Sequence, residues 1–218
     1  RKIDASDAKV KVGNGRLGLL IRIWMETAAR DWEIPTPQLK HIIDRQDESA
    51  TIQFWGKGGQ RAALRESVPL SPELSTELLK IKNRPGAKPT DPLFVGAKGQ
   101  PLDSAGIKTL IEKLAAATAD DIGFPLENVK SLAKPTAKSK AAGHVIRAED
   151  VRAAAATRVA ESVIEMETDP RIMAYLLGHK MSTWEVLLPY YIANVSDQSK
   201  PVVAMIERFV DLDAPYKQ

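Results

Sequence analysis

The chain has 218 residues, 31 Lys+Arg against 28 Asp+Glu for a formal net charge of +3, with 44% hydrophobic and 27% charged residues. That balance suits a globular chain of one large or two small domains; no apolar run reaches the roughly 18 residues of a membrane span, and zero cysteines exclude disulfides, thiol nucleophiles and cysteine zinc sites. Three histidines, His41, His144 and His179, leave little for a histidine metal site, and a start at Arg1 with no signal peptide reads as a piece of a longer cytosolic protein.

Apolar residues at Leu17, Leu20, Ile21, Trp24, Met25 and Ala28 recur with a helical period and predict a helix over 16–30, entered through Gly13 and Gly15 and closed by Arg30. Pro35 and Pro37 interrupt the next segment, and 39–43 is a short apolar patch before a turn at 44–49. The β-branched and aromatic run 51–55, bounded by Gly56, Gly58 and Gly59, predicts a strand entering a hairpin whose return strand lies near 63–70. Ser71 and Pro72 supply an N-cap and a first-turn proline for a helix over 73–81. After a proline-rich loop, Asp103 or Ser104 caps a helix to about residue 120, with Ile107, Leu110, Ile111 and Leu114 on one face.

From 128 to 148 there is no acidic residue, while Lys130, Lys134, Lys138, Lys140 and Arg147 are basic. With Pro135, Gly143 and several small residues, this stretch predicts a mobile loop, either a phosphate-gripping arm or a solvated linker. An alanine-rich helix comes next over 150–165, and Asp169–Pro170 opens another over 171–177, closed by Gly178. Two more helical stretches are expected at 183–192 and 202–210. The fold class is α+β and mostly α-helical, with helices around a small antiparallel β-hairpin region.

Several polar residues fall at element ends: Arg30 with Glu33 after it, Lys57 at the hairpin tip, Arg152 in the first turn of the alanine-rich helix, His179 just past a helix end, then Tyr190 and Tyr191. Singly, each has an ordinary structural role: a surface ion pair, a solvated turn lysine, a helix-end histidine, core aromatics. Arg152 among small alanines calls for an anionic partner. As a set they supply what a phosphate site with a nucleophile and no metal requires.

In chain order, Arg30, Lys57, Arg152, His179 and a tyrosine resemble the catalytic set of the tyrosine recombinase, or phage integrase, family. Arg30-Asp31-Trp32-Glu33 is similar to the family's first Arg-x-x-Glu box. Phe54-Trp55-Gly56-Lys57-Gly58-Gly59-Gln60-Arg61, with Val68-Pro69-Leu70-Ser71-Pro72-Glu73-Leu74 after it, resembles its lysine hairpin and the next helix. Asp91-Pro92-Leu93-Phe94 and Gly99-Gln100-Pro101-Leu102 fit its central connection. Asp150-Val151-Arg152 with Ala156-Thr157 resembles the second arginine box, and Leu176-Leu177-Gly178-His179 is its most recognisable tetrapeptide. The resemblance runs from about Val12 to Val195.

Two departures stand out. The second box of the family usually has His or Lys three residues before its arginine, and here that position is Glu149. His144-Val145-Ile146-Arg147 matches the pattern literally, but Thr157 keeps the family's spacing from Arg152, not from Arg147. The gap from His179 to the tyrosine is also longer than usual. Tyr191, with Ile192 and Ala193 after it, sits like the family's Tyr-x-His, with Tyr190 as the alternative nucleophile.

The resemblance implies a tyrosine recombinase catalytic domain over 1–195 and a C-terminal tail or helix over 196–218, exchanged between protomers or folded on its own domain; the N-terminal DNA-clamping domain is absent from this sequence. It implies a site-specific recombinase or integrase that cleaves and rejoins DNA through a 3′-phosphotyrosyl intermediate, for phage or mobile-element integration and excision. Arg30 and Arg152 would hold the phosphate, Lys57 would be the general acid, His179 would assist, Tyr191 would attack and Glu33 would orient Arg30. No cofactor, metal or ATP is implied. Expected partners are double-stranded DNA, gripped in part by the basic loop, other copies of the chain in a tetrameric synapse, and accessory DNA-bending or directionality factors; no membrane partner is expected, and the location implied is the cytoplasm, on the nucleoid. The rival readings are a type IB topoisomerase-like enzyme and a catalytically silent DNA-binding accessory protein, the latter drawing on Glu149 and the tyrosine spacing.

Overall fold

The first helix stops where the sequence offers no glycine or proline to stop it. In the computed structural model, which describes residues 12–13, 16–45, 49–56, 64, 67–96, 98–118, 148–167, 169, 171 and 202–206, helix α1 spans Leu17–Thr27. Ala28 then takes the left-handed conformation (φ 43°, ψ 33°) while its N–H donates to the Trp24 carbonyl at 2.9 Å. The buried Trp24 indole N–H donates to the Ala29 carbonyl at 2.8 Å. These two bonds satisfy helix-end groups that would otherwise be orphaned, and they hold an alanine in a conformation usually left to glycine. Arg30 therefore lies beyond the helix, at the start of the turn formed by residues 31–35, and does not close it as the periodicity predicted.

The patch at 39–43 is a short 3-10 turn, Leu39–His41, running into strand β2, Ile42–Asp44. Strand β3, Ala50–Ile52, lies between β2 and β4, Val68–Pro69, and pairs antiparallel with both: Ile42 opposite Ile52, and Ile52 opposite Val68. The predicted hairpin thus holds a third strand, with a lone Trp55–Leu64 bridge further along. Pro69 is tolerated because β4 is an edge of this sheet. A second, two-stranded sheet, which the sequence did not suggest, pairs β1 (Val12–Gly13) with β5 (Val95–Gly96).

Helix α2, Pro72–Lys82, covers the three-stranded sheet with Leu74 and Leu78. The Ser71 hydroxyl oxygen accepts from the Leu74 N–H at 3.3 Å, an N-cap, and donates to Glu26 of α1 at 2.7 Å. Ser71 therefore fastens α2 to both the sheet connection and α1. Ser71→Ala is expected to cost about 1 kcal/mol or slightly more, read as a lower urea midpoint at unchanged m value. Buried Ser75 accepts from the Ala50 N–H at 2.9 Å, so the helix also completes the bonding of β3.

Helix α3, Ser104–Thr118, starts at Asp103, whose carboxylate accepts from the Gly106 N–H at 2.7 Å, and buries Ile107, Leu110, Ile111 and Leu114. Helix α4, Ala148–Glu165, begins two residues earlier than predicted. Its first turn contains Glu149 and Asp150, where carboxylates favour the positive end of the helix dipole. Arg152 consequently sits just past the first turn. Buried Ala154, Ala155, Ala156 and Ala160 let α4 pack closely on α1. The helical stretch 202–206 contributes Val202, Met205 and Ile206 to the same apolar cluster as Trp24, Phe54 and Phe94. The architecture is α+β, mostly helical, with small antiparallel sheets set among the helices.

Candidate active site

The turn after α1 is built around a buried carboxylate. Glu33 is fully buried. Its Oε2 accepts from the Arg30 backbone N–H at 2.7 Å and its Oε1 from Arg30 Nη1 at 3.1 Å. The Glu33 N–H donates back to the Arg30 carbonyl at 2.8 Å, and Thr36 donates to the Glu33 carbonyl through both its N–H and its hydroxyl. The Arg30 guanidinium is held in a defined place, its side chain 34% exposed and 5.7 Å over the Trp32 ring. A guanidinium pinned on one edge keeps its remaining donors available in a fixed fork, the arrangement suited to an oxyanion.

Arg152 stands on α4, the helix that packs on α1. Its side chain is partly buried, with Nη1 fully shielded from solvent. Glu149 lies one turn earlier on the same face and is exposed. Thr157, spaced from Arg152 as the second box requires, is buried and donates to the Ala153 carbonyl at 3.0 Å. Because α4 packs on α1, the segments carrying Arg30 and Arg152 belong to one packed unit.

A third element joins them. Asp31, next to Arg30, accepts from the Ser104 hydroxyl at 3.2 Å and pairs with Lys108 Nζ at 3.3 Å. The same Lys108 Nζ lies 3.7 Å from Glu149 Oε1. Asp31, and secondarily Glu149, hold the Lys108 ammonium above the ordinary lysine range despite slight desolvation. The sequence places Asp31 within the first box and offers Ser104 as a helix cap, but gives neither of them, nor Lys108, a place in the site; the local hint is that Ser104 and Lys108 stand four apart, on one face of α3.

Lys57, His179, Tyr190, Tyr191 and the basic residues Lys130, Lys134, Lys138, Lys140 and Arg147 lie outside the described residues. Among the described residues no group of three or more His, Asp or Glu side chains is arranged to hold a metal ion, and no helix is long and apolar enough to cross a membrane.

No protein-family model matches this sequence, and no curated protein does. Among solved structures, the chain is similar to the XerH site-specific recombinase bound to palindromic difH substrate in a post-cleavage complex, with a TM-score of 0.52 and 21% identity over 91% of this chain and 49% of that one. It is likewise similar to XerH bound to difH substrate in a pre-cleavage complex, with a TM-score of 0.50 and 22% identity over 82% of this chain and 45% of the other. The chain spans about half the length of these structures. At such identity the likeness is one of backbone architecture, and the architecture is that of a tyrosine recombinase-like fold.

Proposed function

We propose that this chain is the catalytic domain of a tyrosine-type site-specific DNA recombinase. The observation that carries the reading is the packing of the Arg30–Glu33 turn and the Arg152 helix into one unit within a recombinase-like fold. Two arginines offered to one phosphate would meet the charge that builds on its non-bridging oxygens during displacement.

In the proposed reaction, the Tyr191 phenol oxygen, with Tyr190 as the alternative, attacks the scissile phosphorus. The bond from phosphorus to the 5′-oxygen breaks, and a 3′-phosphotyrosyl bond forms. The departing 5′-oxygen takes a proton from Lys57, and the phenol gives up its own to His179 or solvent. A free phenol has a pKa near 10 and needs that help at neutral pH. The phosphotyrosyl bond conserves the energy of the one broken, so a 5′-hydroxyl from another duplex can reverse the step without ATP or a metal. The basic stretch 128–148 would grip the DNA backbone, making affinity strongly salt-dependent. The synapse would be a tetramer, aided by DNA-bending or directionality factors on a phage, integrative element or chromosome; burial of Val202, Met205 and Ile206 in the chain's own apolar cluster supports a tail folded on its own domain over one exchanged between protomers.

A second reading, a silent DNA-binding accessory protein, is favoured by one residue, the exposed carboxylate Glu149 beside the second arginine. The deciding experiment incubates the longer parent protein with a nicked suicide duplex carrying its recombination site, in EDTA, and runs a denaturing gel. A covalent protein–DNA band is the expected result. DNA binding with no such band would overturn the enzyme reading in favour of the accessory one.

A further inference from the structure

We propose that Lys108 is a positioning residue of the DNA phosphate site, cancelling the charge of the two carboxylates that stand beside its arginines. The proposal rests on the recombinase reading for the identity of the anion. Asp31 is the residue immediately after Arg30, and Glu149 lies one helical turn before Arg152 on the same face of α4. Each arginine of the site is thus accompanied by a carboxylate that repels a phosphodiester. Lys108 is the cation that reaches both, at 3.3 Å from Asp31 Oδ2 and 3.7 Å from Glu149 Oε1.

Three features fit this role better than that of an incidental surface pair. Lys108 bridges elements far apart in sequence, the turn after α1 and the start of α4, so it joins the two arginine-bearing segments. Asp31 is fixed independently by the Ser104 hydroxyl at 3.2 Å and its side chain is only 12% exposed, which sets one end of the bridge. The lysine stays protonated, because both of its carboxylates favour the charged form. An acidic residue at 149 is then compatible with phosphate binding, since its charge is already matched from α3.

The test is a cycle of substitutions read by fluorescence anisotropy of a labelled duplex at low salt. Lys108→Gln is expected to weaken binding roughly fivefold or more, the range of coupled charge pairs, while Lys108→Arg retains the affinity of the unaltered chain. In an Asp31→Asn/Glu149→Gln background, Lys108→Gln is expected to cost less than about twofold, because neither carboxylate that Lys108 pairs with remains. An equal loss in both backgrounds would make Lys108 a generic surface cation and overturn the proposal, as would an unchanged affinity in Lys108→Gln itself. All sites changed are on the surface or half-exposed apart from Asp31, and equal melting temperatures establish that each variant is folded. The denaturing-gel assay on the same proteins separates the two readings. Absence of the covalent band in the unaltered protein removes the recombinase reading while the binding cycle still decides on Lys108, and absence of DNA binding by the unaltered chain removes both.

Discussion

Tyr191→Phe is expected to abolish the covalent protein–DNA band on a nicked suicide duplex, and Tyr190→Phe to leave it. The expectation comes from the atom that the substitution removes. Phenylalanine keeps the ring and its packing but lacks the only atom able to form the phosphotyrosyl bond, so the loss is complete rather than graded. DNA affinity should be unchanged within about twofold, because a single phenol contributes little next to the arginines and lysines that neutralise phosphates. The opposite pattern, with the band lost only in Tyr190→Phe, would move the nucleophile by one residue and keep the chemistry. Loss in neither variant would show that some other side chain carries the adduct.

Glu33→Ala is the change expected to damage both stability and activity. Glu33 is fully buried and accepts from the Arg30 backbone and side chain. Removing it leaves a buried N–H without its acceptor, frees a cation from its partner and opens a small void. Together these cost about 3 kcal/mol. For a chain of this length that lowers the melting temperature by about 2–4 °C per kcal/mol. The released Arg30 no longer presents its donors in one place, and cleavage should fall on the order of 100-fold, as when one oxyanion donor is lost. Glu33→Gln keeps an acceptor for the backbone N–H and should recover most of the stability but only part of the rate. Full activity in Glu33→Ala, measured at a temperature where it is folded, would remove Arg30 positioning from the mechanism.

What was legible in the sequence was local. The Ser71–Pro72 signal marks the start of α2 because capping is settled within four residues. The period of Ile107, Leu110, Ile111 and Leu114 marks α3 because one helix face decides its burial. Periodicity carries helix α1 past its true end because alanine is a strong helix former; the bond from the Trp24 indole to the Ala29 carbonyl, five residues on, holds the chain out of the helix, and apolar periodicity does not register a side-chain-to-backbone bond. Strands β1 and β5 are two residues each and far apart in the chain, too short for any alternation to register. In the site, Arg30 and Glu33 share one turn and could be paired from their spacing. The Lys108 bridge could not, because its partners come from two distant segments and its residue types are those of any solvated helix face.

The alanine face of α4 sets how the site can change over evolution. Ala154, Ala155, Ala156 and Ala160 are all buried in the packed unit that α4 forms with α1, the helix that leads into Arg30. The packing of the two arginine-bearing segments therefore involves methyl groups inside the apolar interior. On the proposed recombinase reading, DNA-facing segments would be free to drift toward new target sequences without disturbing that packing. A substitution that thickens the alanine seam acts the other way: it leaves the outer surface intact and alters the reach of one arginine relative to the other. On that reading, changes of target and changes of rate would fall to separate parts of the same small protein.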